Sequence, residues 1–143
     1  MTRSHASRTA VVLASAGVAL LAVAAAALGV HTWYEQEPPG LDESGPGTVL
    51  RLTAESDGIP PPRVRIALAD GSVAFVSMAG VGSAGGRPVG LVEVSPPGGQ
   101  GARLALGEGQ TGDAGGLRVT MLHVWRMPDG ANDALDVRVL PDR

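Results

Sequence analysis

Val11 to Val30 is an uncharged run of twenty residues, VVLASAGVALLAVAAAALGV, and it limits what the chain can be more than any other feature. Twenty helical residues span about 30 Å, the hydrocarbon thickness of a bilayer. Nine of the twenty are Leu or Val, which favour insertion by roughly 3–5 kcal/mol together. Eight are alanine, a good helix former. Ser15, Gly17 and Gly29 subtract a little. The run is apolar all round, unlike the amphipathic helices of soluble domains. It is therefore expected to be a membrane segment.

Its flanks give an orientation. Arg3 and Arg8 precede the run, whereas Glu35, Glu37, Asp42 and Glu43 follow it before the first basic residue, Arg51. The positive-inside rule then places residues 1–10 in the cytoplasm as an N-terminal tail and sends the bulk of the chain outward. Trp33 and Tyr34 fall where an interfacial aromatic belt would sit. A cleaved signal peptide is the alternative, because Ala22-Val23-Ala24 and Ala25-Ala26-Ala27 are small-x-small sites. The apolar stretch continues through Leu28 and Val30, which favours a retained anchor over residues 11–30. The expected localisation is the cell membrane, single-pass, with the C-terminal domain outside; the alternative is a secreted protein.

Residues 31–47 form an acidic Pro/Gly spacer. Its stretch Glu35 to Gly47, EQEPPGLDESGPG, holds three prolines, three glycines and four acids. Such a composition buries little apolar surface and reads as extended and semi-flexible. Residues 48–143 remain for one extracytoplasmic β domain. The chain has no cysteine, so no disulfide staples that domain.

After residue 47 no helical period persists, and short alternating runs broken by Gly and Pro recur instead. The expected fold class is all-β, a small sandwich or partly open barrel of about seven antiparallel strands. The runs are Thr48–Ala54, Arg63–Ala69, Ser72–Met78, Val89–Ser95, Ala102–Leu106, Leu117–Met127 and Ala134–Leu140. Asp70-Gly71 reads as a two-residue hairpin loop, which would set Ile66 opposite Phe75 and Leu68 opposite Val73. Ala79–Pro88 and Gly107–Gly116 read as glycine-rich loops. In Leu117–Met127 the alternation puts Met121, His123 and Trp125 on one face. The last two runs are expected to form a second hairpin.

Little in this domain points to chemistry. Net charge is −3 and all eleven basic residues are arginine, with no concentrated basic face to suggest nucleic acid. Aromatic residues make up 3%, too few for stacking platforms. His123 is the one domain histidine, either a general base or metal ligand or a core-edge residue bonded to backbone. Asp129, Asn132, Asp133 and Asp136 are the densest oxygen cluster, but their spacing does not follow the EF-hand pattern and suits a turn equally well. Gly80-Val81-Gly82-Ser83-Ala84-Gly85 fits G-x-G-x-x-G literally, yet no helix is expected after it. No G-x-S-x-G segment is present. No catalytic, cofactor-binding or metal residues are assigned and no cofactor is expected.

The run Val11–Val30 and the stretch Leu104 to Trp125, LALGEGQTGDAGGLRVTMLHVW, carry a resemblance. The chain resembles small proteins of high-GC actinobacteria that join an N-terminal membrane segment, an acidic Pro/Gly spacer and a compact β domain. That resemblance implies this layout and no activity or site residues. The expected function is a single-pass membrane protein presenting a non-enzymatic β interaction domain at the cell envelope, with loops 79–88 and 107–116 as candidate surfaces. The partner, whether a protein or an envelope component, is left open. The alternatives are a secreted β domain and a small metal-dependent or hydrolytic enzyme around His123.

Overall fold

Alternating short segments separated by Gly and Pro can satisfy their backbone only by pairing with one another, and here they pair into two antiparallel four-stranded sheets. The computed structural model describes residues 38–54, 58–127, 130 and 132–142. The segment 11–30, its flanks, and Asp129 lie outside the described residues. Among the described residues no helix is long and apolar enough to cross a membrane.

The strands are β1 (Thr48–Thr53), β2 (Val64–Ala67), β3 (Val73–Ala84), β4 (Arg87–Ser95), β5 (Ala102–Leu106), β6 (Thr111–Ala114), β7 (Leu117–Trp125) and β8 (Ala134–Pro141). One sheet has the order β2-β3-β4-β5 and the other β1-β8-β7-β6. Each strand pairs with a neighbour in sequence, except that β1 pairs with β8. The all-β class holds, with eight described strands where about seven were expected.

Both sheets turn one face to a common core. Leu52, Val76, Val92, Val94, Leu117, Val119, Met121, Leu135, Val137 and Val139 are fully buried there. Each such Val or Leu contributes about 1.5–3 kcal/mol. The second sheet packs closely on Gly90 of β4, where a Cβ would stand 2.5 Å from Met121 Cε and 2.6 Å from Leu135 Cδ2.

The first hairpin departs from expectation by one residue. Ile66 pairs with Ala74 and Val64 with Val76, not Ile66 with Phe75. The Gly71 N–H donates to the Leu68 carbonyl at 3.0 Å, and the Leu68 N–H donates to the Ser72 carbonyl at 2.8 Å. The loop is therefore three residues, Ala69-Asp70-Gly71, with Gly71 left-handed at φ +82°. The Asp70 carboxylate also takes the Ser72 N–H at 2.9 Å, fixing the longer turn. A one-residue slip exchanges faces. Ala74, Val76 and Met78 go to the core, and Phe75 is left half-buried on the outer face.

The first expected glycine-rich loop is largely strand, and the second contains one. Residues 79–84 continue β3, and β4 begins at Arg87. Residues 111–114 form β6, the strand that was not expected. Two-residue turns close the hairpins, Gly85-Gly86 at φ +57° and +76° and Gly115-Gly116 at φ +57° and +78°. Consecutive positive φ angles are what such tight hairpin loops require, and glycine adopts them without strain. The segment 80–85, which fits G-x-G-x-x-G, thus lies in β3 and its turn and leads into a strand.

The strand β7 does not keep one alternation. Its register against β8 shifts between Met121 and His123, where a β-bulge inserts one residue. Before the bulge Leu117, Val119 and Met121 face the core; after it Val124 does. His123 and Trp125 move to the outer face, away from Met121, contrary to the single face expected from the sequence.

Gly90→Val should lower stability by about 3 kcal/mol, because its side chain would have to displace Met121 and Leu135 from a filled core. Gly82→Ala is the control: its Cβ would meet Val89 Cγ2 at 3.4 Å and Leu91 Cδ1 at 4.0 Å, both ordinary contacts. Its urea midpoint should stay close to the parent's, with the denaturant slope unchanged in both variants.

Candidate functional site

The bulge in β7 builds the most organised polar cluster of the described residues, on the outer face of the β1-β8-β7-β6 sheet. Strand β8 alternates Leu135, Val137 and Val139 inward, so Asp136 and Arg138 point outward. Asp136 sits directly between Arg51 of β1 and His123 of β7. Arg51 clamps the carboxylate with two bonds, Nε to Oδ1 at 2.7 Å and Nη2 to Oδ2 at 2.8 Å. The Trp125 indole Nε1 donates to Oδ2 at 2.8 Å. The planar guanidinium fork suits this bidentate geometry, and a lysine could not reproduce it.

Asp136 is only 5% exposed at its side chain, and Arg51 is 21% exposed. Burial pushes the Asp136 carboxyl up, but the bonds from Arg51 and Trp125, with the Arg51 charge, outweigh it and hold the group below its ordinary 3.8. Asp136 in turn raises Arg51. The pair is a fixed structural charge whose oxygens are already bonded.

Beside it the His123 ring leans on Trp125, with centroids 5.4 Å apart at 41°. Its Nδ1 lies 3.6 Å from Glu108 Oε1, and both side chains are more than half exposed. The same Glu108 oxygen accepts the Val124 N–H at 3.0 Å. The Met121 N–H donates to the Gln110 carbonyl at 2.9 Å, and the Gly109 N–H to the Met121 carbonyl at 2.8 Å. The segment Gly107–Gln110 thereby supplies partners to the bulged strand.

A cavity of about 290 Å³ lies between this face and residues 39–42, with Val49, Leu122, His123, Trp125 and Arg138 among its walls. Two other hollows, of about 390 and 430 Å³, are larger. The first of them holds one loose ion pair, Glu93 with Arg103 at 4.0 Å, and neither has a buried charge to fix an orientation. The outer-face cavity is the better-organised site.

The residues singled out in the sequence are divided by the fold. His123 meets an acid, Glu108, at 3.6 Å. Two members of the oxygen cluster separate: Asp136 turns to Arg51, while Asp133 Oδ1 accepts the Met127 N–H at 2.6 Å and closes the β7–β8 turn. Among the described residues no group of three or more His, Cys, Asp or Glu is arranged to hold a metal ion. Arg51, Trp125 and Arg138 were not singled out as a group. Pairing the first and last runs of the domain would have placed Arg51 against Asp136.

Asp136→Asn should cost about 3 kcal/mol, because it leaves Arg51 without its counter-charge. The depressed carboxyl fixes the pH dependence. Its contribution is complete above the unfolded value near 3.8 and is lost as pH falls through the lower folded value. Urea midpoints measured from pH 7 downward should therefore converge for parent and variant only below about pH 4. A gap that closes at higher pH would refute the assignment. Comparison of the chain with family models, with curated proteins and with solved structures returned no match.

Proposed function

We propose that the chain is a single-pass membrane protein, N-terminus in the cytoplasm, that holds a small sandwich or partly open barrel outside the membrane as a non-enzymatic binding module of the cell envelope. The twenty-residue uncharged run and its charge asymmetry support the anchor and its direction. The observation that carries the binding reading is the outer-face cavity. Its buried carboxylate, Asp136, has both oxygens committed to Arg51 and Trp125. That arrangement orients a tryptophan and an arginine on a rigid sheet, which suits recognition. A base or a metal ligand needs oxygens free to act.

A secreted form is the second reading, favoured by the small-x-small sites within residues 22–27. Fractionation with N-terminal sequencing separates the two. The anchored protein should stay with the membrane after alkaline carbonate washing, keep its N-terminus, and lose its domain to protease added outside. A soluble species that starts near residues 25–28 would sink the anchor.

A further inference from the structure

Residues 38–47 connect the proposed anchor to β1, and they lie along the same outer face. They are held there by their main chain. The Arg51 Nη1 donates to the Pro38 carbonyl at 3.2 Å, and the Arg138 Nη2 donates to the Ser44 carbonyl. Fixed donors on a sheet that read the carbonyls of an extended Pro/Gly segment are how a peptide groove holds its ligand.

The fit is incomplete at two points. The cavity of about 290 Å³ stays open between residues 39–42 and the Trp125–His123 wall. Arg138 Nε is buried without a hydrogen-bond partner, the one such side-chain atom among the described residues. Asp42 is close enough for the Arg138 charge to act on it, yet its Oδ1 takes the Ser44 N–H at 3.0 Å. The segment brings an acid to the arginine and then turns it inward on itself. A carboxylate aligned side-on would take Nε and Nη together, the stronger bidentate arrangement.

We propose that this face is a groove for an extended acidic peptide containing proline and glycine, that residues 38–47 occupy it in cis, and that a partner segment of the same chemistry displaces them. The inference rests on the domain being a binding module. The partner's carboxylate pairs with Arg138, and its proline or apolar side chain fills the space beside Trp125 and His123. Aromatic-lined grooves recognise proline segments in this way.

The test uses the full chain with Trp33→Phe, which leaves Trp125 as the one tryptophan and its fluorescence as the signal. The probe is the synthetic peptide EPPGLDESGPG, with a second version in which its Asp and two Glu are replaced by Asn and Gln. Gly45→Ala loosens the cis segment: Gly45 has φ +100°, and a Cβ there would stand 3.2 Å from Arg138 Nη2. Removing the competitor raises apparent affinity, so the acidic peptide should bind Gly45→Ala at least about tenfold tighter than the parent. The amide version should bind about tenfold weaker, and Arg138→Gln added to Gly45→Ala should abolish saturation. If Arg138→Gln does not fold, salt reads the same charge: raising it from about 50 to 500 mM should weaken binding to Gly45→Ala several-fold.

Equal affinity for parent and Gly45→Ala, indifference to the peptide's acids, or no binding to Gly45→Ala overturns the proposal. So does a Gly45→Ala dimer that the peptide fails to dissociate, which assigns the groove to a second copy's segment. None of these results bears on membrane fractionation, so the envelope reading stands or falls separately.

Discussion

Parity is the constraint on which the rest of the structure depends. Side chains alternate along a strand, so each turn and each irregularity decides which half of the next strand enters the core. With no cysteine to compensate, the domain relies on burying the correct half of every strand. Two bulges, in β7 after Met121 and in β3 between Met78 and Gly80, and one longer turn manage this. Without the shift after Met121, His123 and Trp125 would enter the core and Val124 would leave it. The bulge keeps the core apolar and, by the same step, delivers an imidazole and an indole to the outer face beside Asp136. Packing and the candidate site share one cause.

What could be read from the residues follows from this. Strands such as Val89–Ser95 and Ala134–Leu140 were legible because apolar alternation and flanking breakers agree. The first hairpin was located correctly and registered wrongly. Asp-Gly serves both a two-residue loop and a three-residue loop with glycine last, and the apolar pattern on either side did not separate them. Val64, Ile66 and Leu68 match Val73, Phe75 in one register and Ala74, Val76, Met78 in the other, both apolar sets. Burial against the second sheet decides, and that information is not local.

The strand halves 79–84 and 111–114 were hidden for a different reason. Glycine is depleted from strands, so Gly80, Gly82 and Gly112 read as loop. At Gly112 the fold needs a small residue, since a Cβ there would press on Leu104 and Leu106 at 3.2 Å, and Gly80 takes a left-handed φ of +138°. The available signal was the doubled Gly-Gly flanked by alternation, which marks a two-residue hairpin in both places. The Arg51–Asp136 clamp had no local signal, since its partners stand 85 residues apart. Only the closure of β1 onto β8 joins them.

The same distinction bears on the segment before β1. Its composition suggested a passive spacer, yet residues 38–47 are tied to the sheet by two arginines whose side chains the fold has already oriented. The unpartnered Arg138 N–H costs about 1–3 kcal/mol, comparable with what one arginine-to-carbonyl bond contributes. One of the two ties is thereby offset, and the segment is held about as firmly as a single bond would hold it. Pro38, Pro39 and Pro46 then acquire a physical role. They narrow the conformations open to the free segment, so less entropy is lost when it lies down on the sheet. A segment stiff enough to dock and tied weakly enough to leave is a different object from a flexible tether, although the two have the same composition.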